Sequence, residues 1–344
     1  MEDKLFEKDT ALLENNEMGI EEGAKILAAG GLVAFPTETV YGLGADAFNA
    51  DAVSGVYKAK GRPSDNPMIV HLHCVQQVDK VAREFPEVGK KLAEVFWPGP
   101  MTLILPSRPD VPDVVRGGLD TVGVRVPASI TARKLIEESG TAIAAPSANL
   151  SGSPSPTCWE DVAEDMMGRI DAIVKGQPCE GGIESTVIDV SENQAVILRP
   201  GLITKEIIED ALGVTVTYDK ALEISMKEEK EHALENGEEL KPKAPGMKYK
   251  HYAPKAKVLI VEGSREDVLK EQLLLEEEGE KVVALIYEDG QEAIATRELF
   301  SKLRAADRQG ASWILIRAMK REGLGFSLMN RMLKSAGYNV RRKK

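Results

Sequence analysis

The chain has 344 residues, 43% hydrophobic and 29% charged, a balance that excludes an intrinsically disordered polymer and leaves length for two domains. Its 44 Lys and Arg stand against 55 Asp and Glu, and the net charge of −11 excludes a protein whose main task is to grip nucleic acid or an anionic membrane, so any RNA contact is local. Cys74, Cys158 and Cys179 form no CxxC or zinc spacing, residues 1–17 lack a signal-peptide core, and no apolar run reaches the roughly 20 residues that span a bilayer, so the expectation is a soluble cytoplasmic protein.

Ile20, Ala24, Ile26, Leu27 and Ala28 recur at helical spacing and predict a helix over 18–29, ended by Gly30-Gly31. Short apolar runs predict strands at 32–35, 68–72, 102–105, 122–126, 142–145, 187–190 and 195–198. Helical patterns lie between some of them, at 51–59, 87–96, 130–139 and 157–167. Strands and helices do not alternate strictly. The expected first domain, residues 1–214, is therefore an α/β unit with a mixed, twisted sheet, not a doubly wound fold. Residues 219–241 hold eight acidic side chains and four lysines and read as solvated linker. Residues 242–257 reverse the charge, with five lysines, one histidine and no acid, while three prolines and a glycine keep them extended. That reversal predicts docking on something anionic, and the linker as a whole is placed at 215–257. Beyond it, strands at 258–261, 282–287 and 313–316 alternate with helices at 264–277, 291–305 and 317–335. This pattern predicts a small Rossmann-like three-layer α/β domain with a parallel sheet over 258–344.

Residues suited to chemistry gather where the predicted strands end. Pro36–Gly44, PTETVYGLG, offers two threonine hydroxyls, a carboxylate and a tyrosine, in a ligand-facing strand end or a plain polar turn. Lys58, Lys60 and Arg62 cluster at a helix end, as a grip for phosphate or carboxylate, or as cations that suit a helix C-terminus. His71 and His73 share a strand face, but no third ligand cluster is near; His71 reads as a pocket-lining residue and no metal ligand is assigned. Arg125, in a valine-rich strand, requires an anionic partner, either a protein carboxylate or a ligand. Ala144–Gly152 with Ser155, the GGIESTV segment from Gly181, and Arg199-Pro200-Gly201 supply further amides, hydroxyls and a cation. Each alone is compatible with a turn. Together they bring no GxSxG elbow, Cys–His motif or Walker loop. The implied chemistry sets an anionic nucleophile against a phosphate by orientation and electrostatics, without a covalent enzyme intermediate.

FPTETVYGLGADA, KGRPSDNPMIVH, WPGPMTLIL, GVRVP, PSANLSG, GGIESTV and RPG stand in the order seen in the threonylcarbamoyl-AMP synthase family. On these segments the chain resembles that family, with its YrdC-like fold, over about residues 18–214. PGMKYKHYAP and the following α/β domain resemble the family's longer, two-domain branch. The resemblance implies conversion of L-threonine, bicarbonate and ATP, with Mg²⁺, into L-threonylcarbamoyl-AMP and pyrophosphate. It also implies a separate transferase that uses the product to modify adenosine beside the anticodon of tRNA. By motif, it assigns Thr39, His71, Arg125, Ser185 and the backbone of Ala145 to threonine. Lys60, Arg62, Asn66, Thr121, Ser147, Asn149, Ser155 and Arg199 go to ATP, Tyr252 of the linker folds over the nucleotide, and Lys60 and Arg62 are the catalytic cations. Two rival readings stand beside it. An RNA-binding module of the same fold is opposed by the net charge of −11. Carbamoyl transfer of the hydrogenase-maturation kind needs zinc-finger and acylphosphatase-like segments that this sequence lacks.

Overall fold

The computed structural model describes residues 8–227 and 251–342, which divide into two compact units. The first holds residues 8–151 and 155–218; the second holds 152–154, 219–227 and 251–342.

The first unit is built on eleven strands. They are β1 (Ala11–Glu14), β2 (Val33–Phe35), β3 (Gly42–Asp46), β4 (Ile69–His71), β5 (Met101–Pro106) and β6 (Thr121–Arg125). β7 (Ile143–Ala144), β8 (Ala172–Lys175), β9 (Thr186–Asp189), β10 (Val196–Arg199) and β11 (Thr217–Tyr218) complete the set. Their order across the sheet is β1-β8-β2-β3-β7-β4-β6-β5-β9-β10-β11. Parallel pairs such as β4 with β6 stand beside antiparallel pairs such as β5 with β6, which gives the mixed sheet expected from the sequence.

The helix Glu17–Ala28 starts where the Asn16 side chain accepts the Gly19 N–H, an N-cap. Its buried face, with Ile20, Ala24 and Leu27, packs with Leu135 and Ile136 of the helix Ile130–Ser139 over Val33, Phe35, Ile143 and Val174 of the sheet. This apolar core fixes the sheet beneath the site. Register then gathers the site at one end of the sheet. His71 ends β4 and is paired with Arg125, which ends β6. β5 runs antiparallel to β6 and parallel to β9, so Met101 and Thr186 start there. β10 runs antiparallel to β9 and ends there with Arg199.

The second unit has four parallel strands in the order β13-β14-β12-β15: β12 (Lys257–Val261), β13 (Val282–Leu285), β14 (Trp313–Arg317) and β15 (Val340–Arg341). The helices Arg265–Glu277, Glu292–Arg308 and Gly323–Ser335 follow the first three, as the alternation predicted. Several elements differ from expectation: β1, β3, β8, β11, β15 and the helix Lys205–Leu212 are additions, and the last helix begins at Gly323, not at 317. The start of the acidic stretch is a helix, Lys220–Lys227, in which Leu222 and Met226 are buried. The rest of that stretch, and residues 242–250 of the basic segment, lie outside the described residues. Among the described residues no helix is long and apolar enough to cross a membrane.

Candidate active site

The PTET turn after β2 is held by its own hydroxyls. Thr37 Oγ1 donates to Val40 O at 2.6 Å and accepts from the N–H groups of Thr39 and Val40 at 3.1 and 3.3 Å. From outside, Gly181 and Gly182 donate their N–H groups to Glu38 O and Thr39 O at 2.8 and 3.1 Å. A Cβ on Gly181 would stand 2.8 Å from Glu38 O, so only glycine allows that approach. The turn thereby presents Glu38 and Thr39 to Arg125.

Arg125 is buried and fully engaged on one side. Nε donates to Gly99 O at 3.2 Å, Nη1 to Thr39 Oγ1 at 3.0 Å and Nη2 to Glu38 Oε1 at 2.5 Å. Glu38 Oε2 accepts the Ser129 N–H at 3.3 Å. Burial works to raise the Glu38 pKa, but the Arg125 charge and hydrogen bonds from Arg125 and the backbone hold it below the usual carboxylate range. His71, beside Arg125 in register, is pushed down to about 3, first by burial and then by that guanidinium, so its ring is neutral. Nδ1 donates to Ile69 O at 3.1 Å, and the ring meets Phe35 edge-on. Ile69 O also accepts the Ala145 N–H at 2.9 Å, which brings Ala145 to the same place. Ser185 lies across β5 and shares a 2.8 Å hydrogen bond with Thr102.

A second group of residues is organised around Lys60. Gly61, left-handed at φ +62°, ends the helix Ala50–Lys60 and leaves the Lys60 side chain buried. Its Nζ donates to Ser147 O and Asn149 O, each at 2.5 Å, which joins two segments almost ninety residues apart. Ser147 Oγ donates to Asn149 Oδ1. Arg62 Nη2 donates to Asn66 O and Pro67 O at 3.1 and 2.8 Å and so shapes the loop before β4. Asn66 is buried, and its Oδ1 finds no hydrogen-bond partner among the described residues, an acceptor that a ligand donor would satisfy. Ser155 donates to the buried Glu184 at 2.6 Å. Arg199 Nη2 donates to Ser185 O at 2.9 Å and to Ser185 Oγ at 3.2 Å, at the end of the sheet where Arg125 lies.

The residues singled out from the sequence therefore fall into two sets: Thr39, His71, Arg125, Ser185 and Arg199 where β4, β6 and β10 end, and Lys60, Arg62, Asn66, Ser147 and Asn149 around the loop that leads into β4 and the segment that follows β7. Thr121 opens β6 opposite Pro106, on the same strand face as Arg125 but at the other end of the strand. Lys58 does not join them: two residues before the buried Lys60 it lies on the other side of the helix and is exposed. Tyr252 belongs to the second unit, where it is buried, stacked on Phe300 at 5.0 Å and held at φ +64°. Glu38 and Glu184 went unassigned by sequence reasoning. The signal for Glu38 was Arg125's unmet need for an anion; Glu184 had none beyond its place in GGIESTV. Burial pushes the thiols of Cys158 and Cys179 up to about 12, so neither is a thiolate nucleophile at neutral pH. Among the described residues no group of three His, Cys, Asp or Glu side chains is arranged to hold a metal ion.

Two family profiles cover the chain. One described as "Telomere recombination" matches residues 25–201. The other, "Threonylcarbamoyl-AMP synthase, C-terminal domain", matches 203–337 and so begins well before residue 258. The threonylcarbamoyl-AMP synthase of Pyrococcus abyssi is 46% identical over 343 residues, 94% of this chain and 96% of that protein. That of Bacillus subtilis is 42% identical over 345 residues, 95% of this chain and 96% of that protein. A crystal structure of P. abyssi Sua5 complexed with L-threonine superposes with a TM-score of 0.87 at 43% identity, covering 97% of this chain and 99% of that one.

Proposed function

Since the chain belongs to the threonylcarbamoyl-AMP synthase family, we propose that it condenses L-threonine, bicarbonate and ATP into L-threonylcarbamoyl-AMP and pyrophosphate. The observation that carries the reading is the buried Arg125, fixed by Gly99, Thr39 and Glu38 beside a neutral His71, with a second buried cation, Arg199, held on Ser185 at the same end of the sheet.

The residues divide the work as follows. Arg125 keeps one N–H on each η nitrogen after its three protein contacts, a pair suited to the threonine carboxylate. Thr39, Ser185 and the Ala145 backbone surround the rest of the amino acid, and neutral His71 lines the pocket without adding charge. The threonine amine condenses with bicarbonate, releasing water and leaving a carbamate. A carbamate oxygen then attacks the α-phosphorus in line, and pyrophosphate leaves. Lys60, Arg62 and Arg199, with Asn66, Thr121, Ser147, Asn149 and Ser155, hold the nucleotide and offset the charge that develops on the phosphates. Tyr252 is assigned to covering the nucleotide. Mg²⁺ enters as the counter-ion of ATP, part of the substrate. The product's consumer is a tRNA-modifying transferase in the cytoplasm.

The test is pyrophosphate release from ATP by the full chain, with mass detection of the adenylate. Release is expected only when threonine and bicarbonate are both present. Release that ignores threonine would contradict the assignment.

A further inference from the structure

We propose that Glu38 determines specificity at the threonine site: its carboxylate is the counter-charge to the substrate's ammonium and makes the site select a zwitterion over an anion. The proposal rests on the functional reading above and adds to it a residue that the reading does not use.

Three observations carry it. First, the charge on Arg125 is already matched within the protein: Glu38 is an anion at 2.5 Å from it, and the adjacent His71 is neutral. Second, Glu38 is the accessible end of the pair, with its side chain 18% exposed against 5% for Arg125. Third, the carboxylate is fixed in place. Oε1 is held by Arg125, Oε2 by the Ser129 N–H, and the Glu38 backbone by Gly181.

A ligand carboxylate that settles on the remaining N–H groups of Arg125 makes two anions share one guanidinium. At such distances and in a buried setting the repulsion is large, and it is relieved only if the ligand brings its own positive charge to the Glu38 side. An α-amino acid does this, because its ammonium stands one carbon from its carboxylate. A hydroxy acid of the same shape does not.

The experiment compares L-threonine with 3-hydroxybutanoate, the same skeleton without the amine, by calorimetric titration of the full chain at neutral pH. The wild-type chain is expected to prefer threonine by at least about tenfold. Glu38→Gln keeps size and hydrogen bonding but leaves the Arg125 charge unmatched. Threonine affinity should fall, and the preference over 3-hydroxybutanoate should shrink by at least about tenfold. Glu38→Asp keeps the charge and should keep the preference. If Glu38→Gln weakens both compounds equally, Glu38 only props Arg125 and the proposal is overturned. It is overturned as well if threonine binds the Gln variant more tightly, since Glu38 would then be a competitor for Arg125. Should the Gln variant fail to fold, Glu38→Asp decides: a lost preference at the wild-type melting temperature overturns the proposal, and a kept one supports it. A wild-type chain that binds neither compound removes the functional reading and this proposal together, whereas the other failures leave pyrophosphate release by the wild type intact.

Discussion

Arg125 sits in a strand whose other members are Thr, Val, Gly and Val, and it donates from three of its nitrogens to three different acceptors. Lysine at this position keeps the charge and loses the planar fork. Losing one charge-assisted contact of about 1.5–3 kcal/mol, Arg125→Lys should weaken threonine binding by roughly tenfold to a hundredfold. ATP binding should stay within about threefold of wild type, because Arg125 contacts none of the residues around Lys60. Calorimetric titration with each ligand checks this; equal loss of both would show that Arg125 is not a threonine residue. The neutrality of His71 gives a second expectation. Its folded pKa lies at about 3, so between pH 6.5 and 3 the unfolded chain binds a proton that the folded chain does not. Stability therefore falls as pH drops through that window, by at most about 1.4 kcal/mol per pH unit. Between pH 7 and pH 5 the wild type should lose about 2 kcal/mol more than His71→Gln, measured by urea unfolding. Equal losses would place the pH dependence on other groups. At this scale much of the site was legible: an arginine among valines announces its need for an anion. That the anion is Glu38 was not, because the two residues are 87 positions apart and meet only through the fold.

The ends of strands and helices carry the site, and small residues there are steric requirements. A Cβ on Gly201 would lie 2.4 Å from Thr186 N and 2.7 Å from Glu184 O, against backbone that has no side chain to swing aside. Gly201→Ala should shift the start of β9, and Ser185 with it. We expect about 1–3 kcal/mol of lost stability, in the range of other overpacked sites, together with weaker threonine binding. Unchanged denaturation and unchanged threonine affinity would show that β10 absorbs the methyl group freely. The end of the helix Ala50–Lys60 makes a sharper case. Lys60→Met removes the donor from two carbonyls and should cost about 1–3 kcal/mol, besides cutting pyrophosphate release. Arg62→Ala should cut release with a smaller loss of stability, since Arg62 is only half-buried. If both variants turn over like wild type, these cations merely end a helix. Most of the central strands, whose apolar residues run together, were readable from the sequence with their ends displaced by a residue or two, although β1 and β8 are apolar runs that were not picked out. β3 was not readable, because Gly42 and Gly44 resemble a turn. In the sheet, a Cβ on Gly44 would stand 2.7 Å from Ile143 and 2.8 Å from Phe35, so the glycine answers to close packing between neighbouring strands. The helix Lys220–Lys227 was hidden differently: averaging acids over 219–241 concealed Leu222 and Met226, one helical turn apart.

For the whole chain, the uneven distribution of charge is the feature that local structure leaves unexplained. Residues 242–257 hold five lysines and no acid within a chain of net charge −11, directly after a stretch with eight acids. A tether that only connects two units gains nothing from such segregation, since mixed charges would solvate it equally well. A segment that approaches a polyphosphate gains a great deal, and its three prolines narrow the conformations open to the free chain. Within the described part of this segment, Tyr252 already adopts φ +64°, a conformation costly for an aromatic residue, and is stacked on Phe300. The backbone there is set by its surroundings and does not follow local preference. The expectation is that amides across 242–257 exchange with solvent more slowly when ATP and threonine are both bound than with neither. A chain ending after residue 218 should bind nucleotide poorly even though it keeps Lys60, Arg62, Asn149 and Arg199. Hydrogen exchange followed by mass spectrometry reads the first expectation, and nucleotide titration of the shortened chain reads the second. Exchange that ignores both ligands, together with full affinity in the shortened chain, would reduce the segment to a tether and leave the clustering of its lysines without a role in catalysis.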